Sequence, residues 1–366
     1  MVALKLLNGR VVRLSNGVPL ICPVRDEMTF LPPFLRHYRK LGVSEFIFID
    51  NDSRDGTTDY LLGQPDCYVF HTSDSYRESN YATLWINEVI EALDVQGWLI
   101  YVDVDEHLVY PDVENADVGR YCKTVERAGF NCVNAAMIDM YPPGSFLDLS
   151  FHPDQDLSDV MGWFDADYVF REWPKRPWDK RAGFLLQVLG GPRCRLLSDL
   201  DAEAGHGGLF YTWANQVDRI VDRIPLRFVP LLAKIAPREM PALQKRPFNL
   251  IKSGFRYLNS HISTNGSVAA EMTALLHFKF CGELKRRFEM KSEGNHYRRG
   301  LSYMQLEDAV VSWPQSNLCY PGSCQFRTSA DLLAVGLIGT APSQVWTDRQ
   351  VKSVRTSKSG PHALNR

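Results

Sequence analysis

Between Val18 and Met140 short apolar runs alternate with segments of helical spacing, and no other feature constrains the fold as tightly. Val18 to Cys22, Glu45 to Ile49, Cys67 to His71, Gly97 to Val102 and Phe130 to Met140 read as strands. Phe30 to Leu41 places Phe30, Phe34, Leu35, Tyr38 and Leu41 on one helical face and ends at Gly42. A second helix, capped by Thr57 or Thr58, runs through Leu62, and Tyr81 to Leu93 is a third. Strand and helix in turn, with polar loops after the strands, predict an α/β fold. The sheet is doubly wound and mostly parallel, with helices on both faces. An α+β domain with local hairpins is the competing arrangement.

The run Trp98-Leu99-Ile100-Tyr101-Val102 drives straight into Asp103-Val104-Asp105-Glu106-His107. Continued as a strand, it points Asp103 and Asp105 to the same side, their Cα atoms roughly 6.6 to 6.8 Å apart. Two carboxylates on one face repel, and a divalent cation turns that repulsion into a binding site; a solvated turn is the plainer alternative. The end of a parallel strand is also where open α/β sheets bind their ligands.

Composition narrows the classes. The 366 residues are 45% hydrophobic and 23% charged with a formal net charge of −2, ordinary for a globular protein. No global field favours nucleic acid or an anionic membrane, so phosphate recognition must be local. The eight cysteines have no CxxC spacing and read as reduced, buried thiols. No apolar stretch reaches membrane-spanning length, and Lys5, Asn8, Arg10, Arg13 and Asn16 interrupt the first twenty residues, so a cytoplasmic location is expected.

Beyond residue 145 the pattern loosens. Residues 145 to 235 form an irregular, Pro-, Trp- and Asp-rich insertion containing Gly190-Gly191-Pro192-Arg193, the kind of segment that holds a second substrate. Lys245 to Leu306 is basic and His-rich, and Ser267 to Met290 within it reads as helix. Past about residue 340 the chain is polar without periodicity and is expected to fray. Trp163, Trp173 and Trp178 can offer flat faces to sugar rings, with packing the commoner role.

Pro23-Val24-Arg25-Asp26-Glu27, Phe48-Ile49-Asp50-Asn51-Asp52-Ser53-Arg54-Asp55-Gly56-Thr57 and Asp103-Val104-Asp105-Glu106 occur in the order seen in glycosyltransferase family 2, which this chain resembles. Gly190-Gly191-Pro192-Arg193, Asn259-Ser260-His261 and Leu276-His277-Phe278-Lys279-Phe280 are similar to a bacterial branch of that family. The resemblance covers roughly residues 18 to 300. It implies the glycosyltransferase A fold. Residues 1–300 would form the catalytic domain, with 18–145 as the nucleotide-sugar half and 146–300 as the acceptor and metal-completing half. Residues 301–366 would be a C-terminal extension. Asp26 stands where the family has Asn, and Asn51-Asp52 replaces Asp-Gly, so the base is left open.

The resemblance implies roles position by position. Pro23, Arg25 and Glu27 border the nucleotide, Asp50 and Asn51 contact base or ribose, and Arg77 sits beside the uridine or guanosine. Asp103 touches ribose or metal, and Asp105 binds Mn²⁺ or Mg²⁺ across the diphosphate. His277 is the best third metal ligand, because imidazole suits Mn²⁺, although a lone His in an apolar run is more often a core residue. Lys279 and His296, with Arg298 and Arg299, can neutralise the diphosphate; the arginines can equally be a solvated pair. His261 orients substrate or caps a turn. For the base, Asp139 is preferred because it ends a strand, with Glu172 and Asp201 as rivals.

The reaction implied is inverting transfer of a sugar from a UDP- or GDP-sugar to a glycan or lipid-linked acceptor in surface polysaccharide synthesis. No transmembrane segment is expected; peripheral membrane association stays open, and nucleic acid is not a partner. Two other readings use the same sheet. A nucleotidyltransferase usually carries a Gly-rich loop after the first strand, and Pro23 to Glu27 has no glycine. A carbohydrate-binding protein would keep the fold without catalysis.

Overall fold

A computed structural model describes residues 4–8, 14, 17–172, 186–197, 243–290, 301–311, 313 and 316–340. Its first half follows the alternation: β1 (Lys5–Leu6), β2 (Leu20–Val24), α1 (Leu31–Lys40), β3 (Phe46–Asp50), α2 (Thr57–Leu62), β4 (Cys67–His71), α3 (Thr83–Ala92), β5 (Gly97–Tyr101), β6 (Glu106–Val109), α4 (Val118–Arg127) and β7 (Cys132–Asp139). The insertion holds α5 (Leu157–Val160), β8 (Trp163–Asp165), β9 (Val169–Glu172), β10 (Leu186–Leu189) and α6 (Gly191–Leu197). Then come β11 (Gln244–Ile251), β12 (Tyr257–Asn259), β13 (Ile262–Ser263), β14 (Val268–His277), α7 (Glu283–Met290), α8 (Leu301–Val311), β15 (Ser323–Gln325), α9 (Ser329–Ala334) and β16 (Gly339–Thr340).

The central sheet has ten strands in the order β1-β4-β3-β2-β5-β11-β7-β14-β16, with β6 also on β14. β4, β3, β2 and β5 are parallel neighbours, as are β7 and β14; β11 separates the two groups and is antiparallel to both β5 and β7. The result is a mixed α/β fold around a large, mostly parallel sheet. Side-chain alternation sorts each strand between two cores. Leu20, Cys22, Phe46, Phe48, Trp98 and Ile100 pack with α1 residues Phe34, Leu35 and Tyr38. Ile21, Ile47, Ile49, Leu99 and Tyr101 pack with α3 residues Trp85, Ile86 and Val89 on the other side. Both faces are therefore covered by helices, which is why the strands read as continuous apolar runs.

Three expectations are corrected. Ser267 to Met290 is not one helix: Val268–His277 is a strand, and helix starts at Glu283. Ala, Glu, Met and Leu favour helix locally, yet pairing with β7 on one side and with β6 and β16 on the other overrides that weak preference. Asp103 and Asp105 do not extend β5, which stops at Tyr101. They lie in a turn closed by Glu106 N–H on the Asp103 carbonyl at 3.1 Å, so the strand argument for their common side fails. Nor does Thr57 or Thr58 cap α2, whose N-cap is Gly56 at φ 95°.

Residues 301–340 share the packing of the domain. Leu306, Ala309, Val310 and Leu318 join Tyr141, Phe146, Leu196 and Phe280 in one cluster, β15 pairs with β8 and β16 with β14. Trp163 packs against that same cluster. Trp173, Trp178, Asp201, His296, Arg298, Arg299 and the tail past residue 340 lie outside the described residues. Among the described residues no helix is long and apolar enough to cross a membrane.

Candidate active site

The parallel strands deliver their C-terminal ends to one edge: Arg25 and Glu27 after β2, Asp50 at the end of β3, Asp103 and Asp105 after β5, Asp139 at the end of β7 and His277 at the end of β14. β11 runs the other way and begins at this edge. Phe248 lies opposite Ile100 in an antiparallel pair, so counting back along β11 and onward past the end of β5 brings Lys245 level with Asp103. A one-residue register shift between Lys245 and Phe248, at Arg246-Pro247, accommodates a proline that an inner strand would otherwise exclude.

The polar loop after β3 is a scaffold for the loop after β2. Glu27 N–H donates to Thr57 Oγ1, Met28 N–H to Asp55 Oδ2 and Asp26 N–H to Ser53 Oγ, each at 2.9 Å, while Arg54 N–H donates to Asp26 Oδ1 at 2.6 Å. Asp50 is fully buried; one oxygen accepts from the Ser53 hydroxyl and the other from Thr58 Oγ1 at 2.9 Å. Asn51 donates its amide to the carbonyls of Thr72 at 3.1 Å and Asp74 at 3.0 Å. Asp50 thus builds the turn, and Asn51 fastens the segment leading to Arg77, itself half-buried, onto the sheet.

From Glu27 inward runs a line of alternating charge. Arg287, on α7, reaches Glu27 Oε1 at 3.4 Å and Asp105 Oδ2 at 2.8 Å. Asp105 Oδ2 faces His277 Nε2 at 3.5 Å, His277 Nδ1 meets Asp139 Oδ1 at 2.7 Å, and Asp139 Oδ2 accepts from Arg193 Nε at 2.7 Å. Arg193 gets there because Gly190 and Gly191 let the chain pass against Tyr168. A Cβ on Gly190 would lie 2.7 Å from the Asp167 carbonyl, and both glycines have positive φ.

Burial opposes charge on every group in this line, and neighbours decide each outcome. Burial would raise the Asp105 pKa, but Arg287 and His277 hold it well below the usual carboxylate range. For Asp139, Arg193 and His277 overcome burial and bring it down to about 2. Burial would lower the His277 pKa; the Asp105 and Asp139 carboxylates raise it instead. Glu27 is the exception, pushed by burial to about 7 despite Arg287, with Oε2 buried and without a hydrogen-bond partner among the described residues.

That upward shift has a consequence for stability. A carboxyl whose folded pKa lies above its unfolded value costs stability as pH rises between the two, here from about 4.5 to about 7. Glu27→Gln removes the titration and is expected to be the more stable protein at pH 8 by roughly 3 kcal/mol, with no advantage at pH 4. Urea unfolding at the two pH values checks this; an equal difference at both would refute it.

Lys245 holds the other side of the acidic turn. Only 1% exposed, its ammonium lies 2.9 Å from Asp103 Oδ2, 2.8 Å from Glu106 Oε2 and 4.7 Å from the centroid of the Tyr101 ring. The two aspartates therefore differ: the Asp103 side chain is 46% exposed and paired with Lys245, whereas Asp105 is 5% exposed and paired with Arg287 and His277.

Asp105 Oδ2 and His277 Nε2 make a donor pair suited to Mn²⁺, and Asp139 supplies the carboxylate that metal-binding histidines commonly carry on their second nitrogen. Among the described residues no group of three or more His, Cys, Asp or Glu side chains is arranged to hold a metal ion. Asp105 and His277 would thus share the ion with water or with ligand oxygens. Asp139 has no oxygen open to an acceptor: both are engaged on His277 and Arg193, and its depressed pKa makes it a poor base. It holds the His277 ring at Nδ1. The Glu172 side chain lies outside the described residues, although its backbone is in β9. Pro23 sits within β2, and Lys279, half-buried just past β14, contributes to the low pKa of Asp105. His261 Nδ1 meets the Gln244 carbonyl at 2.6 Å, a structural contact at the start of β11.

Sequence reasoning missed Lys245 and Arg287 and gave Arg193 no role. Arg287 hides in Lys285-Arg286-Arg287, which reads as a solvated run, and Lys245 in Gln244-Lys245-Arg246-Pro247, where proline argues against an inner strand. A lysine just ahead of the mostly apolar Phe248 to Ile251 is the available signal.

No family model and no curated protein matches the chain. Among solved structures, a UDP-glucose pyrophosphorylase from Acinetobacter baumanii overlaps 50% of this chain and 77% of its own, with 10% identity and a TM-score of 0.26, a likeness that decides neither fold nor activity.

Proposed function

We propose that this protein is a metal-dependent, inverting glycosyltransferase that moves a sugar from a nucleotide diphosphate donor to a glycan or lipid-linked acceptor. The observation that carries the reading is the buried Asp105–His277 pair, backed by Asp139 and flanked by Arg287 and Lys245, at the C-terminal edge of a mostly parallel sheet. The order of the Pro23–Glu27, Asp50–Thr57 and Asp103–Glu106 motifs supports it independently.

Asp105 and His277 would hold Mn²⁺ or Mg²⁺, which when bound supplies positive charge to the leaving diphosphate. The chain's own residues do the rest. Asp139 and Arg193 fix the imidazole ring. Lys245 fixes the acidic turn and leaves Asp103 half-exposed, where it would contact ribose. Arg25, Glu27 and Arg77 border the nucleotide, and Lys279 adds charge near the phosphates.

A donor bound only by the native state raises the melting temperature by mass action, about 2.7 kcal/mol at a hundred times its Kd. UDP- or GDP-sugars in Mn²⁺ are expected to raise the melting temperature by a few degrees, and nucleoside monophosphates to raise it less. A panel in which no nucleotide sugar stabilises the protein, with or without Mn²⁺, would overturn the reading.

A further inference from the structure

The arginine that meets Asp139 is one of two on the same short helix, and the second is anchored by residues that follow α8. α6 is seven residues long, and Arg193 and Arg195 leave it roughly 200° apart, on opposite sides. Arg193 reaches Asp139, the last residue of β7, and Arg195 reaches Asp165, the last residue of β8; both aspartates are fully buried. The Arg195 pair is two-pronged, Nε to Oδ2 at 2.8 Å and Nη2 to Oδ1 at 3.1 Å, and Nη2 also donates to the Leu318 carbonyl at 2.9 Å. Its guanidinium lies 4.5 Å from the centroid of the Tyr320 ring and 5.8 Å from that of Trp313. Tyr141, two residues past Asp139, donates its hydroxyl to Asp165 Oδ1 at 2.5 Å and lies 2.8 Å from Ser323 Oγ.

We infer that Arg195 is a positioning residue for the site: together with Trp313, Leu318 and Tyr320 it fixes α6, and so holds Arg193, Asp139 and the His277 ring in register. The contacts form a ladder with two buried rungs. One upright is the chain from Asp139 to Tyr141 and the other is α6; the first rung is Arg193 on Asp139, the second Arg195 on Asp165 and Tyr141. A guanidinium fork on a carboxylate fixes direction as well as distance, so a short helix held at both rungs resists turning against β7. Cys194 and Leu196 also pack into the cores, but apolar contact is non-directional and leaves that rotation open. Losing the second rung therefore lets α6 turn about the first, and the first rung shares Asp139 with His277 Nδ1. Residues past 300, which the family resemblance would leave outside the catalytic domain, are thereby tied to the site. For catalysis this rests on the glycosyltransferase reading proposed above; for the His277 ring it stands alone.

The test follows the hydrogen-bonded His277 Nδ1 proton by nuclear magnetic resonance in the histidine-labelled full chain, without nucleotide or metal. Its downfield signal is identified by its loss in His277→Gln. Arg195→Met is expected to move that signal upfield or remove it, and Tyr320→Leu to move it less in the same direction. Arg195→Lys, which keeps a charge on Asp165, should fall between wild type and Arg195→Met. Arg39→Met, which breaks the exposed pair of α1 with Asp66, should leave the signal in place. Sugar transfer by Arg195→Met is expected to slow by about tenfold or more, because small misplacements near the chemistry are costly. A lowered melting temperature with an unmoved His277 signal in folded Arg195→Met would make Arg195 merely structural and overturn the inference, leaving the proposed function standing. Should Arg195→Met fail to fold, an unmoved signal in both Tyr320→Leu and Arg195→Lys overturns it equally, as does a wild type with no such signal. A signal that moves as expected in a chain that transfers no sugar keeps the positioning of His277 and overturns the glycosyltransferase reading.

Discussion

Exchanging Lys245 for methionine is expected to lower the unfolding free energy by about 3–5 kcal/mol at neutral pH, the range for removing one partner of a buried ion pair. Methionine fills a similar volume, so the loss is electrostatic rather than a cavity. It leaves Glu106 fully buried, with Oε1 already unpartnered and Oε2 held, among the described residues, only by the Asp103 backbone N–H at 2.8 Å. Burial already raises the Glu106 pKa, and Lys245 is the first charge opposing that rise. Without the ammonium the carboxyl stays protonated in the folded state to a higher pH, so the variant loses stability as pH climbs above the ordinary glutamate value. Below about pH 4.5 the carboxyl is protonated folded and unfolded alike, and the deficit should narrow. Urea unfolding of both proteins at pH 4.5 and 8 reads the effect; equal midpoints at pH 8 would refute it.

Lys245 also marks where the sequence stops being legible. Alternation within β2, β3 and β5 separates two cores residue by residue, and that pattern is local, so the parallel half of the sheet could be read directly. The insertion of β11 between β5 and β7 depends on pairing across more than a hundred residues, for which no local signal exists. β14 is not legible for the same reason: helix-favouring Ala, Glu, Met and Leu compete with pairings to β7, β6 and β16 that exist only once the sheet is assembled. At the site, Asp105 and His277 were legible as residue types at strand ends. Their partners were not. Arg193 depends on two glycines passing Tyr168, and Arg287 on α7 docking beside Phe30. Asp50 shows the reverse limit, since a carboxylate at a strand end looks available in sequence and is used up by Ser53 and Thr58 in the fold.

The largest effect expected on activity belongs to Asp105→Asn. Asparagine keeps the shape of the side chain and removes the charge that meets both His277 and Arg287. Loss of a single preorganised electrostatic contact to a reacting centre costs about 10²–10³ in rate, and loss of the proposed metal ligand belongs at the upper end. The direct measurement gives purified wild type and Asp105→Asn a panel of UDP- and GDP-sugars with Mn²⁺ and identifies the products by mass spectrometry. The account predicts release of the nucleoside diphosphate, with the sugar on an acceptor or on water, about 10³-fold slower in Asp105→Asn. Equal rates in the two proteins would contradict it, as would pyrophosphate released from a nucleoside triphosphate and a sugar phosphate.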